Sequence, residues 1–291
     1  MFSGSFVAIV TPFKNGRVDY DKLKELIEMH IEKGTSGIVP CGTTGESATL
    51  SHDEHNDVVK NTVKVVKGRV KVIAGTGSNS TREAIELTKF AERVGVDGSL
   101  IITPYYNKPT QKGLYEHFAK IASEVDIPII VYNVPGRTAV DILPQTVIKL
   151  SRIKNVIGIK EASGQLGYVS EIVRGTDGKF DVLSGDDALT FPMLAIGGKG
   201  AISVVANIVP EDVANMIRSF EEGNIDKARK LHLKMFPLIK ALFMETNPIP
   251  VKTAMEILGM MHGELRLPLC EMSEENKSQL KKVMKEYGLI K

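Results

Sequence analysis

Short apolar runs alternate with longer amphipathic segments along most of the chain. Each run is short, rich in β-branched residues and nearly all apolar, which is the pattern of parallel strands buried on both faces. We predict strands at residues 6–10, 37–40, 70–74, 98–102, 128–132, 156–159, 181–183 and 201–204.

The segments between these runs have helical periodicity. Leu23, Leu26 and Ile27 recur at the spacing that places apolar side chains on one face of a helix. Ser51, followed three residues later by Glu54, predicts a capping box at the start of another helix. We predict helices at residues 19–33, 51–66, 81–94, 110–125, 144–153, 166–173, 187–196 and 210–220.

The order of these elements predicts an α/β fold, a (β/α)8 TIM barrel. Parallel strands need crossover connections, and eight strand–helix units fit a closed barrel. A doubly wound open sheet is the alternative, but its dinucleotide-binding glycine pattern is missing after the first strand. Beyond the predicted barrel domain of residues 1–223, only helical segments follow, at 225–242, 249–258 and 274–287. We therefore predict a small helical C-terminal domain at 224–291.

Composition narrows the range of functions. Lys and Arg total 37 against 35 Asp and Glu, and this balance gives no reason to expect nucleic acid or an anionic membrane as partner. Two cysteines, no signal-peptide pattern and no apolar run of membrane-spanning length predict a soluble cytoplasmic protein. His52 and His55 do not have the spacing of a zinc-protease motif, so we predict no metal site.

Lys160 is the most informative polar residue. Active sites of TIM barrels lie where the strands end, and Lys160 is the one lysine that closes a predicted strand. Burial disfavours an ammonium ion, and a neutral amine can attack a ketone to form an imine. The alternative is a structural ion pair, for example with the adjacent Glu161.

Other polar residues follow neighbouring predicted strands. Tyr132 could relay protons beside Lys160, or it could be a buried tyrosine with one hydrogen bond. Thr43 and Thr44 offer hydroxyl and backbone N–H groups to a carboxylate, or they belong to a tight glycine turn. Arg137 could bind a second carboxylate with two parallel hydrogen bonds, or it could be a solvated loop residue.

Three motifs occur in order along the chain: G-T-T-G-E at 42–46, Y-N-V-P-G-R at 132–137 and G-I-K-E-A at 158–162. With them, the sequence resembles the pyruvate-dependent class I aldolases, the superfamily that includes N-acetylneuraminate lyase. The likeness extends from V-T-P-F at 10–13 to L-R-L-P at 265–268. The double threonine, the loop at 105–109 and Arg137 make it most similar to the dihydrodipicolinate synthase (4-hydroxy-tetrahydrodipicolinate synthase) family.

That resemblance implies a Schiff-base-forming lyase of the diaminopimelate and lysine biosynthesis pathway. It would condense pyruvate with L-aspartate 4-semialdehyde, need no cofactor and form a homotetramer of two dimers. The resemblance implies a role for each matching residue: Lys160 would form the imine, and Tyr132, Thr43 and a neighbouring subunit's Tyr106 would relay protons. Thr44 would bind pyruvate and Arg137 the semialdehyde. Gly185 and Ile202 would line the pocket.

The resemblance also implies feedback inhibition by L-lysine at the dimer interface. The carboxylate of Glu83 could pair with the amino group of the ligand, and His55 and Asn79 could add hydrogen bonds. The alternative is that these residues only form a polar interface. The matching residues are Ser47, Ala48, His52, His55, Asn79, Glu83 and Tyr105.

Two other functions remain open at this point. A related aldolase could cleave sialic acid or a 2-keto-3-deoxy sugar acid instead. A non-catalytic barrel could bind pyruvate for regulation. A purely structural protein would leave the clustering of Thr43, Tyr132, Arg137 and Lys160 at strand ends unexplained.

Overall fold

A closed barrel of eight parallel strands forms the centre of the computed structural model, which describes residues 2–291. Each strand hydrogen-bonds to its neighbours in sequence, and the first pairs with the last, which closes the barrel. The predicted TIM barrel is therefore confirmed. The barrel strands are Gly4–Ala8, Gly37–Val39, Lys71–Gly75, Gly98–Ile102, Ile129–Asn133, Val156–Glu161, Asp181–Ser184 and Gly200–Ser203.

The helices that follow the strands begin and end within a few residues of the predicted positions, with one exception. The predicted helix at 187–196 is a 3-10 turn, Asp187–Leu189, followed by the helix Thr190–Ala195, because Asp186 accepts a hydrogen bond from the N–H of Ala188. No helix within residues 2–291 has the length and apolar character needed to cross a membrane. The other barrel helices are Tyr20–Glu32, His52–Val66, Thr81–Val94, Gln111–Ala122, Pro144–Leu150, Leu166–Gly175 and Pro210–Glu221.

Several short elements have no counterpart in the sequence prediction, because they are too short to show a periodic pattern. These elements are the hairpin Phe13–Lys14 with Arg17–Val18, the 3-10 turns Ser47–Thr49 and Val205–Asn207, and the helix Pro135–Thr138. The hairpin connects the first barrel strand to the first helix, and the helix Pro135–Thr138 contains Arg137.

Alternation along the strands divides the apolar side chains between the barrel interior and the helix layer. In the fifth strand, Ile130 and Tyr132 belong to the interior cluster, whereas Ile129 and Val131 pack in the cluster that includes the surrounding helices. Lys160 is in register with Tyr132 on the neighbouring strand. The same alternation therefore places Lys160 on the inner face.

The C-terminal part consists of the helices Ile225–Ala241, Ile249–Ile257 and Glu274–Tyr287. Their buried side chains, Leu238 and Met255 among them, share one apolar core with the first barrel strand and the helices beside it. These helices are thus fixed to the barrel over a continuous interface. The domain boundary at 223 stays a prediction.

His30 gives the fold a pH-dependent stability. It is fully buried, its Nδ1 lies 3.3 Å from the Thr35 hydroxyl, and its Nε2 has no hydrogen-bond partner in the described part of the chain. Burial lowers the pKa of His30 to about 3. The unfolded chain takes up a proton near pH 6.5 that the folded protein excludes, so stability falls as the pH drops below about 6.5.

We expect this histidine to cost the protein about 2 kcal/mol of stability between pH 7 and pH 5. Urea unfolding of wild type and His30→Leu at both pH values measures the effect, and the variant should lose less stability on acidification by about that amount. His262→Leu, at an exposed position, is the matched control. An equal pH dependence in wild type and His30→Leu would contradict the prediction.

Candidate active site

A cavity of about 490 Å³ lies at the end of the barrel where the strands finish. Its walls come from the loops after the second to fifth strands and from residues 246–248 of the C-terminal part. The predicted site residues that line it are Thr43, Ser47, Ala48, His52, His55, Glu83, Tyr105, Tyr132 and Arg137. Thr43, Tyr132 and Arg137 therefore share this cavity with most of the candidate lysine-binding residues, whereas Lys160, Thr44, Gly185 and Ile202 are not among the residues that line it.

Lys160 lies against the ring of Tyr132, which forms part of the cavity wall. Its Nζ is 4.3 Å from the ring centroid, and the lysine is only 5% exposed. Gly185 leaves room for the lysine stem, because a Cβ at that position would lie 2.9 Å from Lys160 Cε. Ile202 is fully buried in the barrel interior together with Tyr132. The structure thus brings these four predicted residues together.

The structural ion pair considered for Lys160 is not formed. Lys160 makes no ion pair with any carboxylate of residues 2–291. Glu161 instead accepts hydrogen bonds from the Asn133 side chain at 3.0 Å and from the Ser163 N–H. Burial raises the pKa of Glu161, and these two hydrogen bonds oppose that effect. Lys160 and Glu161 are therefore adjacent in sequence but contact different neighbours.

Thr43 and Thr44 lie on the loop that follows the second strand. Thr43 lines the cavity, whereas Thr44 is buried and its Oγ1 accepts a hydrogen bond of 2.9 Å from the Asn247 side chain. The Thr44 hydroxyl proton stays available for a carboxylate oxygen. Arg137 is exposed at the mouth and donates from Nη2 to the Asn247 carbonyl at 3.1 Å.

Asn247 is the site residue that sequence reasoning missed. It belongs to the segment E-T-N-P-I-P at 245–250, which has the pattern of a joint between helices. The structure brings it to Thr44 and Arg137, which are distant from it in sequence. In the sequence, Asn247 is only a polar residue between two apolar helical segments, and nothing near it indicates that it contacts Thr44 and Arg137.

Tyr106 differs from the other candidate catalytic residues. Its side chain is 90% exposed, and its backbone has φ 72°, in the left-handed region. It is not among the residues that line the cavity of its own chain. The structure therefore does not bring Tyr106 together with Lys160 within one subunit.

The predicted lysine-binding residues include a hydrogen-bonded histidine–glutamate pair at the cavity wall. His52 Nε2 lies 2.8 Å from Glu83 Oε1, and the Ser78 hydroxyl donates to the other carboxylate oxygen. The Ser78 hydrogen bond, with a further contribution from His52, lowers the pKa of Glu83. Glu83 thus presents a negative charge at neutral pH. Ser78 is a further residue of this group that the sequence alone does not point to.

Two other members of this group, His55 and Asn79, are held by contacts with backbone carbonyls. His55 Nε2 lies 2.8 Å from the Gly75 carbonyl, and burial lowers the pKa of His55. The Asn79 amide donates to the Tyr105 carbonyl at 3.2 Å. Throughout residues 2–291, no cluster of three or more His, Cys, Asp or Glu side chains is placed to hold a metal ion.

Comparisons of the sequence and of the structure with known proteins match the chain to the same group of proteins. Residues 1–287 match the model of the Dihydrodipicolinate synthetase family. The 4-hydroxy-tetrahydrodipicolinate synthase of Thermodesulfovibrio yellowstonii is 58% identical over 291 residues, 100% of each chain. The dihydrodipicolinate synthase of Acinetobacter baumannii, solved as a complex with pyruvate, is 45% identical with a TM-score of 0.98 over 100% of both chains. That of Cyanidioschyzon merolae, solved with lysine bound, is 42% identical with a TM-score of 0.97 over 99% of both.

Proposed function

The chain belongs to the dihydrodipicolinate synthetase family, and on that premise we propose that Lys160 is its covalent catalyst. The protein is a Schiff-base-forming lyase with the activity of 4-hydroxy-tetrahydrodipicolinate synthase, condensing pyruvate with L-aspartate 4-semialdehyde. The observation that supports the role of Lys160 is its position: buried at the end of the sixth strand, free of ion pairs among residues 2–291, and 4.3 Å from the Tyr132 ring.

The reaction begins when the Lys160 amine attacks the ketone carbon of pyruvate. The resulting carbinolamine loses water to give an imine, and Tyr132 with Thr43 supplies and removes the protons of these steps. The positive imine nitrogen makes the former methyl group acidic, and loss of one proton gives an enamine. The enamine carbon then attacks the aldehyde of the second substrate. Finally, the amino group of that substrate attacks the imine carbon, closes the ring and displaces Lys160.

Thr44 and Arg137 bind the two substrate carboxylates. Thr44 donates its hydroxyl proton to the pyruvate carboxylate, and its hydrogen bond from Asn247 fixes the orientation of that hydroxyl. Arg137 binds the carboxylate of the semialdehyde at the mouth of the cavity. Ile202 provides an apolar surface inside the barrel.

A coupled assay distinguishes this activity from its relatives. Purified protein should consume pyruvate and aspartate 4-semialdehyde, and should not cleave sialic acid or keto-deoxy-gluconate. Borohydride reduction in the presence of pyruvate, followed by mass spectrometry, should place an adduct on Lys160. Turnover of the sugar acids alone would overturn the substrate assignment. An unmodified Lys160 would favour a non-catalytic pyruvate-binding barrel.

Arg137→Ala should weaken binding of the second substrate selectively. The loss of a charge-assisted contact to a carboxylate should raise the KM for the semialdehyde about 30-fold. The KM for pyruvate should change much less, because Thr44 and not Arg137 binds its carboxylate. Steady-state kinetics with each substrate varied in turn measures both values. Arg152→Ala, at an exposed position near the next helix, is the control, and equal KM changes for both substrates would contradict the role of Arg137.

We propose that the protein acts as a homotetramer of two dimers, in which Tyr106 completes the proton relay of a neighbouring subunit. The 90% exposure of Tyr106 and its absence from its own cavity wall support this arrangement. A tyrosine held away from its own site by a left-handed backbone position can reach a partner. Sedimentation at assay concentrations tests the proposal, and a fully active monomer would contradict it.

We also propose that L-lysine inhibits the enzyme at the group formed by Ser47, Ala48, His52, His55, Asn79, Glu83 and Tyr105. The low pKa of Glu83 supports a site for the ligand's ammonium group. Removing that charge with Glu83→Gln should raise the half-inhibitory lysine concentration about 30-fold. A titration of activity with lysine measures it, with Glu86→Gln on the same helix as control. A wild-type enzyme insensitive to lysine would contradict the proposal.

A further inference from the structure

A fully buried ion pair joins the C-terminal helix Ile249–Ile257 to the loop that contains Thr43 and Thr44. Lys252 Nζ lies 2.6 Å from Glu46 Oε1, and neither side chain has any solvent exposure. The same ammonium donates to the Thr11 carbonyl at 3.0 Å and lies 4.3 Å from the centroid of the Phe13 ring. Lys252 is therefore fixed on several sides.

Stability alone does not explain this pair. Taking two opposite charges out of water is costly, and apolar residues of similar volume often stabilise a core as well or better. Burial lowers the pKa of Lys252, and the neighbouring Glu46 opposes that effect. What an ion pair adds over an apolar contact is a defined distance and direction between two chain segments.

Glu46 connects this pair to the threonine loop. Its N–H donates to the Thr43 carbonyl at 3.1 Å, and its φ of 52° is uncommon for a residue with a side chain. Its second carboxylate oxygen accepts the Arg266 N–H at 3.2 Å. Both oxygens of Glu46 are thus bound by the C-terminal part.

The loop is held at further points on either side of Glu46. The Thr11 hydroxyl donates to the Gly45 carbonyl at 2.7 Å, and the Asn247 amide donates to Thr44 Oγ1 at 2.9 Å. Asn247 precedes the helix that contains Lys252 by only a few residues. One short stretch of the C-terminal part therefore fixes the loop both at Thr44 and at Glu46.

We propose that Lys252 is a positioning residue, which acts through Glu46 to hold Thr43 and Thr44 where they meet pyruvate. This inference rests on the roles proposed above for the two threonines. The C-terminal helix that contains Lys252 would then affect catalysis through the position of the threonine loop, although Lys252 itself contacts no reacting atom.

The double variant Lys252→Met with Glu46→Gln tests the inference, because it removes both charges and keeps both side-chain volumes. We expect kcat/KM for pyruvate to fall about 100-fold, the loss that a misplacement of about 1 Å can cause. A rise in the KM for pyruvate should accompany a fall in kcat, since Thr44 binds and Thr43 relays protons. Borohydride should still trap pyruvate on Lys160 after long incubation, because the sixth strand is untouched.

Lys234→Met is the matched control. Lys234 on the helix Ile225–Ala241 pairs with Asp212 of the barrel helix Pro210–Glu221 at 2.7 Å, so this pair also joins the barrel to the C-terminal part. Lys234 is half exposed and its hydrogen bond goes to Asp212, not to Glu46 or Arg266. The kcat and the KM for pyruvate of Lys234→Met should stay within about twofold of wild type, as for a surface pair.

The measurements distinguish a positioning role of Lys252 from a purely structural one. A cooperatively folded double variant with wild-type kcat and KM would overturn the inference, as would a loss of activity that only follows the unfolded fraction measured by circular dichroism. If the double variant does not fold, Glu46→Asp keeps both charges, shortens the side chain by one methylene and should still raise the KM for pyruvate about 10-fold by displacing the loop; an unchanged KM overturns the inference. Failure of wild type to form the Lys160 adduct would instead overturn the proposed function itself.

Discussion

Lys160→Ala should lower kcat by about 10⁴-fold or more, the scale on which loss of a covalent catalyst acts in other enzymes. The variant has no amine to form the imine, so neither the enamine nor the carbon–carbon bond can follow. The coupled assay measures the residual rate, and borohydride reduction with pyruvate should leave the protein mass unchanged. The fold should persist, because the Lys160 side chain has no ion-pair partner within residues 2–291.

Lys154→Ala is the control for this result. Lys154 lies shortly before the sixth strand and is exposed, so its loss removes a lysine from the same region without touching the pocket. It should retain the wild-type rate and the wild-type pyruvate adduct. A Lys160→Ala enzyme that kept more than about 1% of wild-type kcat would show that the imine does not lie on the reaction path.

Most of the fold could be predicted from the sequence, because the barrel strands are buried on both faces. That burial produces compact apolar runs, and Gly98–Ile102 was predicted at its observed ends. The helix Thr81–Val94 was predicted equally well, because its Ser80 cap and the glycine at 95 mark both ends in sequence. At 187–196 the prediction had the right position but not the right first turn, which is 3-10 because Asp186 and Asp187 accept hydrogen bonds from backbone N–H groups.

The proximity of Tyr132 and Lys160 could be predicted because barrel geometry brings strand ends together. Tyr132 and Lys160 end neighbouring strands, and parallel pairing in register is enough to place one against the other. Asn247 and Lys252 could not be predicted in the same way. Lys252 has the sequence context of an amphipathic helix, in which a lysine normally faces solvent. Its burial depends on Glu46, which only the folded chain brings to it.

Tyr132→Phe should reduce kcat about 10²–10³-fold, the usual contribution of a positioned proton-transfer group. The change removes one oxygen and keeps the ring that contacts Lys160 at 4.3 Å and packs in the barrel interior. Substrate binding and folding should therefore change little, while each step that moves a proton slows. Stopped-flow measurement of imine formation should give a slower rate with the same final amount of adduct.

Tyr168→Phe makes the same chemical change at a buried tyrosine outside the site. The Tyr168 hydroxyl has no hydrogen-bond partner within residues 2–291, and burial is the main reason that its pKa is raised. Its removal should leave the rate of imine formation at the wild-type value. If both tyrosine variants lost activity to the same extent, the effect would reflect the loss of a buried hydroxyl in general. Both variants lose one phenol oxygen, but only Tyr132 contacts Lys160. A loss of activity confined to Tyr132→Phe would therefore assign proton transfer to the Tyr132 phenol.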